Sequence, residues 1–274
     1  MLRFPDINPD IAKFSLFGLN LQVRWYGFFY VLSFILAYIF YRKNLKLRGI
    51  ELKNDLYESV IFYVMLGVIL GGRLGYVIFY NFAYYFHHPF GVFAVWEGGM
   101  SFHGGILGVI TAGLLFARKH KYSFYSLADP AIPLAAMGLG LGRLGNFINA
   151  ELYGKPTSLP WGMIFPNSDG VPRHPTQLYE LFLEGIVLAL VCQFLLKKVR
   201  KEGLVFWAFV GMYGVFRFMI EFVREPDSLD FYTTYGFIFG FMPIGQFLSL
   251  LMIIAATIGI FLIYREKPTI ATIE

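Results

Sequence analysis

Long apolar stretches alternate along this chain with short polar ones, most of them basic. After an opening segment in which polar and apolar positions interleave (residues 1–24), an apolar and aromatic run covers Trp25–Tyr41 and stops at Arg42 and Lys43. Further runs cover Ser59–Phe79, Phe102–Ala117, Leu127–Phe147, Gln177–Leu196, Leu204–Phe222 and Ile244–Tyr264. With its flanks, each approaches the ~20 residues that a helix needs to cross a ~30 Å hydrocarbon layer. The pattern predicts an all-α polytopic membrane protein with seven transmembrane helices. Residues 1–24 lack the basic start, short apolar core and small-residue cleavage site of a secretory signal and read as an interfacial segment. Residues 25–147 then hold helices one to four. The polar, Pro- and Gly-rich stretch 148–175 reads as a small folded head outside the bilayer, and 176–274 holds the last three helices and a C-terminal tail.

The loops carry the orientation. One set of alternate connections holds Arg42, Lys43, Lys46, Arg48 and Lys53, then Arg118, Lys119 and Lys121, then Lys197, Lys198, Arg200 and Lys201, and finally Arg265 and Lys267. The opposite set holds Arg3, Lys13, Arg24, Lys155, Arg173 and Arg224, so the excess is about fourteen to six. Basic loops stay in the cytoplasm. The N-terminus is therefore expected outside, on the periplasmic side, with the C-terminus cytoplasmic and the head external.

Composition agrees with the pattern. The chain has 274 residues, of which 57% are hydrophobic, 19% aromatic and only 15% charged, too apolar for a soluble domain. A net charge of +5 raises nucleic acid as a partner, but the basic residues sit in short loops where topology explains them, so no nucleic acid is expected. The single cysteine, Cys192, lies in an apolar run and has no partner for an internal disulfide.

The polar residues at bilayer depth point to chemistry. The stretch GLGRLGNFINAELYGKPT (Gly140–Thr157) sets Arg143 and Asn146 among glycines at the outer end of the fourth run. An arginine there needs a carboxylate, a wet cavity or an anionic ligand. Helix packing through small residues is the competing explanation for the glycines. Tyr26 opens the first run, and His103 opens the third within GGMSFHGG (Gly98–Gly105). In the sixth run Tyr213, Arg217 and Glu221 recur every fourth residue and line one helix face, where Arg217 and Glu221 can also form a structural ion pair. Arg73, in GGRLGY, is ambiguous. There is no phosphate-cradling nucleotide loop, no nucleophile elbow and no metal-ligand spacing, so neither a metal nor a cofactor is expected. Arginine forks beside glycines suit a phosphate on a lipid head group.

These motifs resemble the bacterial prolipoprotein diacylglyceryl transferases. Their signature Gly-Arg-x-Gly-Asn-Phe-x-Asn-x-Glu-x-x-Gly is met by Gly142, Arg143, Gly145, Asn146, Phe147, Asn149, Glu151 and Gly154. The resemblance extends to Trp96–Gly105, Arg173–Glu180, Tyr213–Asp227 and Gly245–Ser249. It implies transfer of the diacylglyceryl group of phosphatidylglycerol to the lipobox cysteine of a prolipoprotein signal peptide, giving a thioether and glycerol phosphate at the outer leaflet of the inner membrane. It also implies that Tyr26, His103, Arg143, Asn146, Glu151, Gly154, Tyr213, Arg217 and Glu221 matter for activity. By their chemistry Arg143 and Arg217 are the expected catalytic groups that stabilise the departing phosphate, and His103 is the candidate base unless the arginines make one unnecessary. Tyr26, Asn146 and Gly154, with both arginines, would bind phosphatidylglycerol, and Glu151, Tyr213 and Glu221 would support them. A transporter or flippase for an anionic lipid is the alternative, although the runs show none of the internal symmetry common in transporters.

Overall fold

The computed structural model describes residues 2–16, 19–95, 98–225 and 236–265. Trp96, Glu97, Pro226, Asp227 and Lys267, which entered the sequence reading, lie outside these, as do residues 230–235 and the tail from 266. The described chain is mainly helical: α1 (Trp25–Leu47), α2 (Asn54–Phe79), the short α3 (Phe82–His87), α4 (Phe102–His120), α5 (Phe124–Ile148), α6 (Thr176–Lys198), α7 (Leu204–Ile220) and α8 (Ile244–Arg265). Of these, α1, α2, α5, α6 and α8 are long and apolar enough to cross a membrane. The protein is a multi-pass, largely α-helical membrane protein. Several helices outrun their apolar stretches: α1 continues through Arg42, Lys43 and Lys46 to Leu47, and α2 begins five residues before Ser59. Lysine and arginine are good helix formers and keep the helix going past the apolar segment.

Contacts divide the chain into two compact units, residues 42–128 and a larger one made of 1–41 with 129–274. In the smaller, α2 packs against α4 through facing glycines. A Cβ on Gly75 would lie 2.7 Å from the Cα of Gly104, and one on Gly108 would lie 2.8 Å from the Cα of Gly71 and collide with the Gly67 carbonyl. Small residues four apart on both helices allow backbone-to-backbone approach. Gly108→Leu is expected to force α2 and α4 apart and to destabilise the protein by at least ~2 kcal/mol, read as a lower melting temperature in detergent. Arg73, ambiguous in sequence, is a structural staple here. Its buried guanidinium donates to the carbonyls of Gly91, Val92, Gly98 and Gly99 and lies over the Tyr85 ring.

In the larger unit, Ile132, Ala136, Leu188, Cys192, Leu196 and Val205 form a buried core of α5, α6 and α7. Cys192 is free and buried, a packing residue. Asp129 accepts from the amides of Gly203 and Phe206 and so satisfies the start of α7. The described residues before α1 carry strands that the mixed pattern does not suggest: Leu2–Arg3 (β1) pairs in parallel with Met163–Ile164 (β4), and Asp10–Leu16 (β2) pairs antiparallel with Leu19–Arg24 (β3). Phe4 joins Phe147, Ala150, Met163 and Phe165 in a second core. The first residues and the head segment therefore fold together.

Candidate active site

The site begins where α5 and α6 cross. A Cβ on Gly140 would meet the Cα of Gly185 at 2.8 Å, and one on Gly185 the Cα of Gly140 at 2.6 Å, so only glycine permits this approach at either position. Arg143 lies three residues past the crossing on α5, and Glu184 and Glu180 lie one and five residues before it on α6. Directly after Glu180, α6 widens into a π-helical segment, Leu181–Val187, that contains Glu184. Such turns break the regular side-chain spacing and occur mostly at functional sites.

Arg143 Nε approaches Glu180 Oε2 at 3.2 Å, and its Nη2 is 3.9 Å from Glu184 Oε2. From α7, Arg217 Nη1 donates to Glu180 Oε1 at 2.5 Å, and its Nη2 pairs with Glu221 Oε2 at 3.0 Å. Arg224, just beyond α7, brings its Nε within 3.5 Å of Glu180 Oε1. Glu180 is thus the hub of three guanidiniums. Tyr213, one turn before Arg217, shares the electrostatic neighbourhood of Glu180, Glu184 and both arginines. Gly245 leaves room for the carboxylate of Glu221, which a Cβ there would strike at 2.6 Å. The carboxylates form the back of the cluster: side-chain exposure is 0% for Glu180 and 1% for Glu184, against 18% for Arg143 and 15% for Arg217.

The end of α5 carries the next residues. Asn146 and Asn149 both donate to Glu151 Oε1, at 2.8 and 3.2 Å. Glu151 therefore orients asparagines, while Glu221 holds an arginine. Ala150 and Leu152, on either side of Glu151, are in the left-handed region at φ 53° and 58°. Each such non-glycine residue stores about 1–2 kcal/mol, a strain typical of functional sites. Tyr26, at the start of α1, packs over Gly145, whose Cβ would lie 2.8 Å from the tyrosine ring. Gly154 sits where three segments cross, and a Cβ there would be 2.7 Å from Thr176 and 2.9 Å from His174 and would collide with the Val223 carbonyl. That crowding by itself accounts for glycine. Arg173 ties the head together: it donates to Asp169, to the Gly154 carbonyl and to Glu225, and it lies over the Tyr153 ring. Its hydrogen bond holds the Asp169 carboxyl below the usual carboxylate range. Burial pushes the His174 imidazole down, towards the neutral form.

His103 belongs to the smaller unit, in the first turn of α4, where Ser101 Oγ caps the helix by accepting from Gly104. Its ring is exposed and lies edge-on to Phe102 at 5.8 Å. Among the described residues no group of three or more His, Cys, Asp or Glu side chains is arranged to hold a metal.

Three members of the cluster, Glu180, Glu184 and Arg224, were absent from the sequence-based site. Glu180 and Glu184 are ionisable residues four apart inside an apolar run, the signal that singled out Arg217 and Glu221. Their relation to Arg143 depends on the Gly140–Gly185 crossing, for which the sequence offers only two of many glycines.

Residues 14–262 match the family model described as prolipoprotein diacylglyceryl transferase. The chain is 50% identical over 266 residues to a phosphatidylglycerol–prolipoprotein diacylglyceryl transferase of Geobacter sulfurreducens, covering 97% of this chain and 99% of the relative. The protein of the same name from Bordetella avium is 47% identical over 269 residues, covering 97% and 98%. That from Vibrio campbellii is 44% identical over 265 residues, covering 97% and 94%.

Proposed function

The chain belongs to the prolipoprotein diacylglyceryl transferase family, and from that premise we propose that the Arg143–Arg217 cluster seats the phosphate of phosphatidylglycerol while its diacylglyceryl group is transferred. The protein is a transferase whose substrates are phosphatidylglycerol and a prolipoprotein, and family membership favours this over the lipid-transporter alternative. One observation carries the assignment of the site: two guanidiniums on different helices keep part of their surface accessible while the carboxylates that orient them are sealed behind. Donors fixed in this way are already aimed when charge builds on the departing phosphate oxygens, so little reorganisation is needed during the reaction.

In this reading the thiol of the lipobox cysteine attacks the glyceryl carbon, the C–O bond to phosphate breaks, and glycerol phosphate leaves with the electron pair. Arg143 and Arg217 stabilise that leaving group. Asn146, held by Glu151, and Tyr26 orient the head group. Gly154 keeps the head segment close enough for Glu151 to be positioned, and Tyr213 and Glu221 support Arg217. The thiol, with a free pKa near about 8.5, must lose a proton. A neutral imidazole at His103 would accept it, whereas a thiol brought close to the arginines would ionise without a dedicated base. His103→Gln is expected to lower turnover by about a hundredfold with acceptor at neutral pH and to recover at alkaline pH, where the thiol ionises unaided. Unchanged neutral-pH activity would leave His103 a structural role.

The same proposal includes the membrane arrangement. Charge alternation supports seven spans, with α4 and α7 added to the five long apolar helices. It also supports an external N-terminus, a cytoplasmic C-terminus and a head at residues 148–175 facing the outer leaflet of the inner membrane. The activity is tested with purified protein, labelled phosphatidylglycerol and a lipobox peptide. Glycerol phosphate should appear only when the peptide carries its cysteine. Release with a Cys→Ser peptide would contradict transfer to the thiol.

A further inference from the structure

Among the described residues the ion cluster is balanced: three guanidiniums, Arg143, Arg217 and Arg224, meet three carboxyl groups, Glu180, Glu184 and Glu221. A phosphodiester adds one negative charge to a poorly hydrated site, where net charge is costly. The three carboxyl groups are not equally held. Glu180 is within reach of all three arginines, and Glu221 is 3.0 Å from Arg217. Glu184 is fully buried in the π-helical segment, and among the described residues neither of its oxygens has a hydrogen-bond partner and its nearest cation is Arg143 at 3.9 Å. The charged and titratable groups that face it are Glu180 on its own helix, Arg143 on α5, Tyr213 and Arg217 on α7, and Arg224 beyond.

We infer that Glu184 is a positioning residue that gives up its charge when the lipid phosphate binds: it takes up one proton and releases Arg143 from a weak internal ion pair to the phosphate. Glu180 and Glu221 keep their charges and continue to orient the two guanidiniums. The occupied site is then neutral again, with three arginines matched by two carboxylates and one phosphodiester. This inference rests on the reading of the arginine cluster as the phosphatidylglycerol site.

Linkage gives the sign. Binding that takes up a proton is favoured as pH falls and weakens as pH rises, by up to about tenfold in Kd per pH unit wherever the free protein carries Glu184 ionised. Phosphatidylglycerol keeps its single charge over mildly acidic to alkaline pH, so the slope belongs to the protein. The test is the Kd of short-chain phosphatidylglycerol for the full-length protein in detergent, measured across that range for wild type, Glu184→Gln and Arg143→Gln. Wild type should bind more weakly as pH rises. Glu184→Gln should bind with little pH dependence and, at alkaline pH, at least tenfold more tightly than wild type. Arg143→Gln should bind weakly throughout. A flat wild-type profile, or a slope retained in Glu184→Gln, overturns the role of Glu184 while leaving the site reading intact. Phosphatidylglycerol binding that survives Arg143→Gln overturns the site reading itself. If Glu184→Gln does not fold, the wild-type profile alone decides, since the inference requires its slope.

Discussion

Arg143→Ala is expected to lose transfer to a lipobox peptide by about a thousandfold or more while the protein still inserts and folds. The magnitude follows from the role. Removing one fixed donor from a site that stabilises developing oxyanion charge costs about 10²–10³ in rate, and removing an arginine from a phosphoryl group can cost more. Stability should change far less. Arg143 is one of three partners of Glu180, which retains Arg217 and Arg224, and its contact with Glu184 is long. Arg143→Lys keeps the charge but loses the planar fork, so it should fall between wild type and alanine. Turnover and melting temperature measured on the same preparations separate the two effects. Near-normal turnover in Arg143→Ala would remove it from the chemistry.

Glu180→Gln should behave differently, losing stability and activity together. Glu180 is completely buried and faces three guanidiniums. Glutamine preserves its shape but leaves three positive charges against two carboxyl groups. Breaking a buried ionic arrangement by neutralising one partner costs about 3–5 kcal/mol, because the remaining charges stay buried and uncompensated. The expected result is a marked drop in melting temperature in detergent. Turnover should also fall, because both guanidiniums lose the group that orients them. A Glu180→Gln protein as stable as wild type would show that the hub geometry contributes little to the fold.

What could be read in advance follows from the range of each interaction. Apolar runs and their basic borders reveal membrane helices because both are local, and α8 coincides almost residue for residue with its run. The ends of α1 and α2 were harder to place, since charged residues continue a helix that hydropathy no longer marks. The pairing of Leu2–Arg3 with Met163–Ile164 joins segments some 160 residues apart and has no local sign. At the site, Arg143, Asn146, Arg217 and Glu221 stood out as polar residues where the pattern demanded apolar ones. The same rule applied to Glu180 and Glu184 but was masked by the length of their apolar run. The π-helical segment that follows Glu180 and contains Glu184 has no compositional signature at all. From the sequence the partner of Arg143 is expected to be a lipid phosphate rather than a neighbouring carboxylate alone. In the fold Glu180 and Glu184 hold it, and the part of its side chain that stays exposed, 18%, is where the proposed phosphate would bind.

The central claim is that Arg143 and Arg217 bind one lipid phosphate between them. An experimental structure of the protein with bound phosphatidylglycerol tests it most directly. The phosphate is expected within hydrogen-bond distance of both guanidiniums, about 2.7–3.2 Å, with Glu180 and Glu221 still behind them. A phosphate bound elsewhere, with the arginines still paired only to Glu180, Glu184 and Glu221, would contradict it.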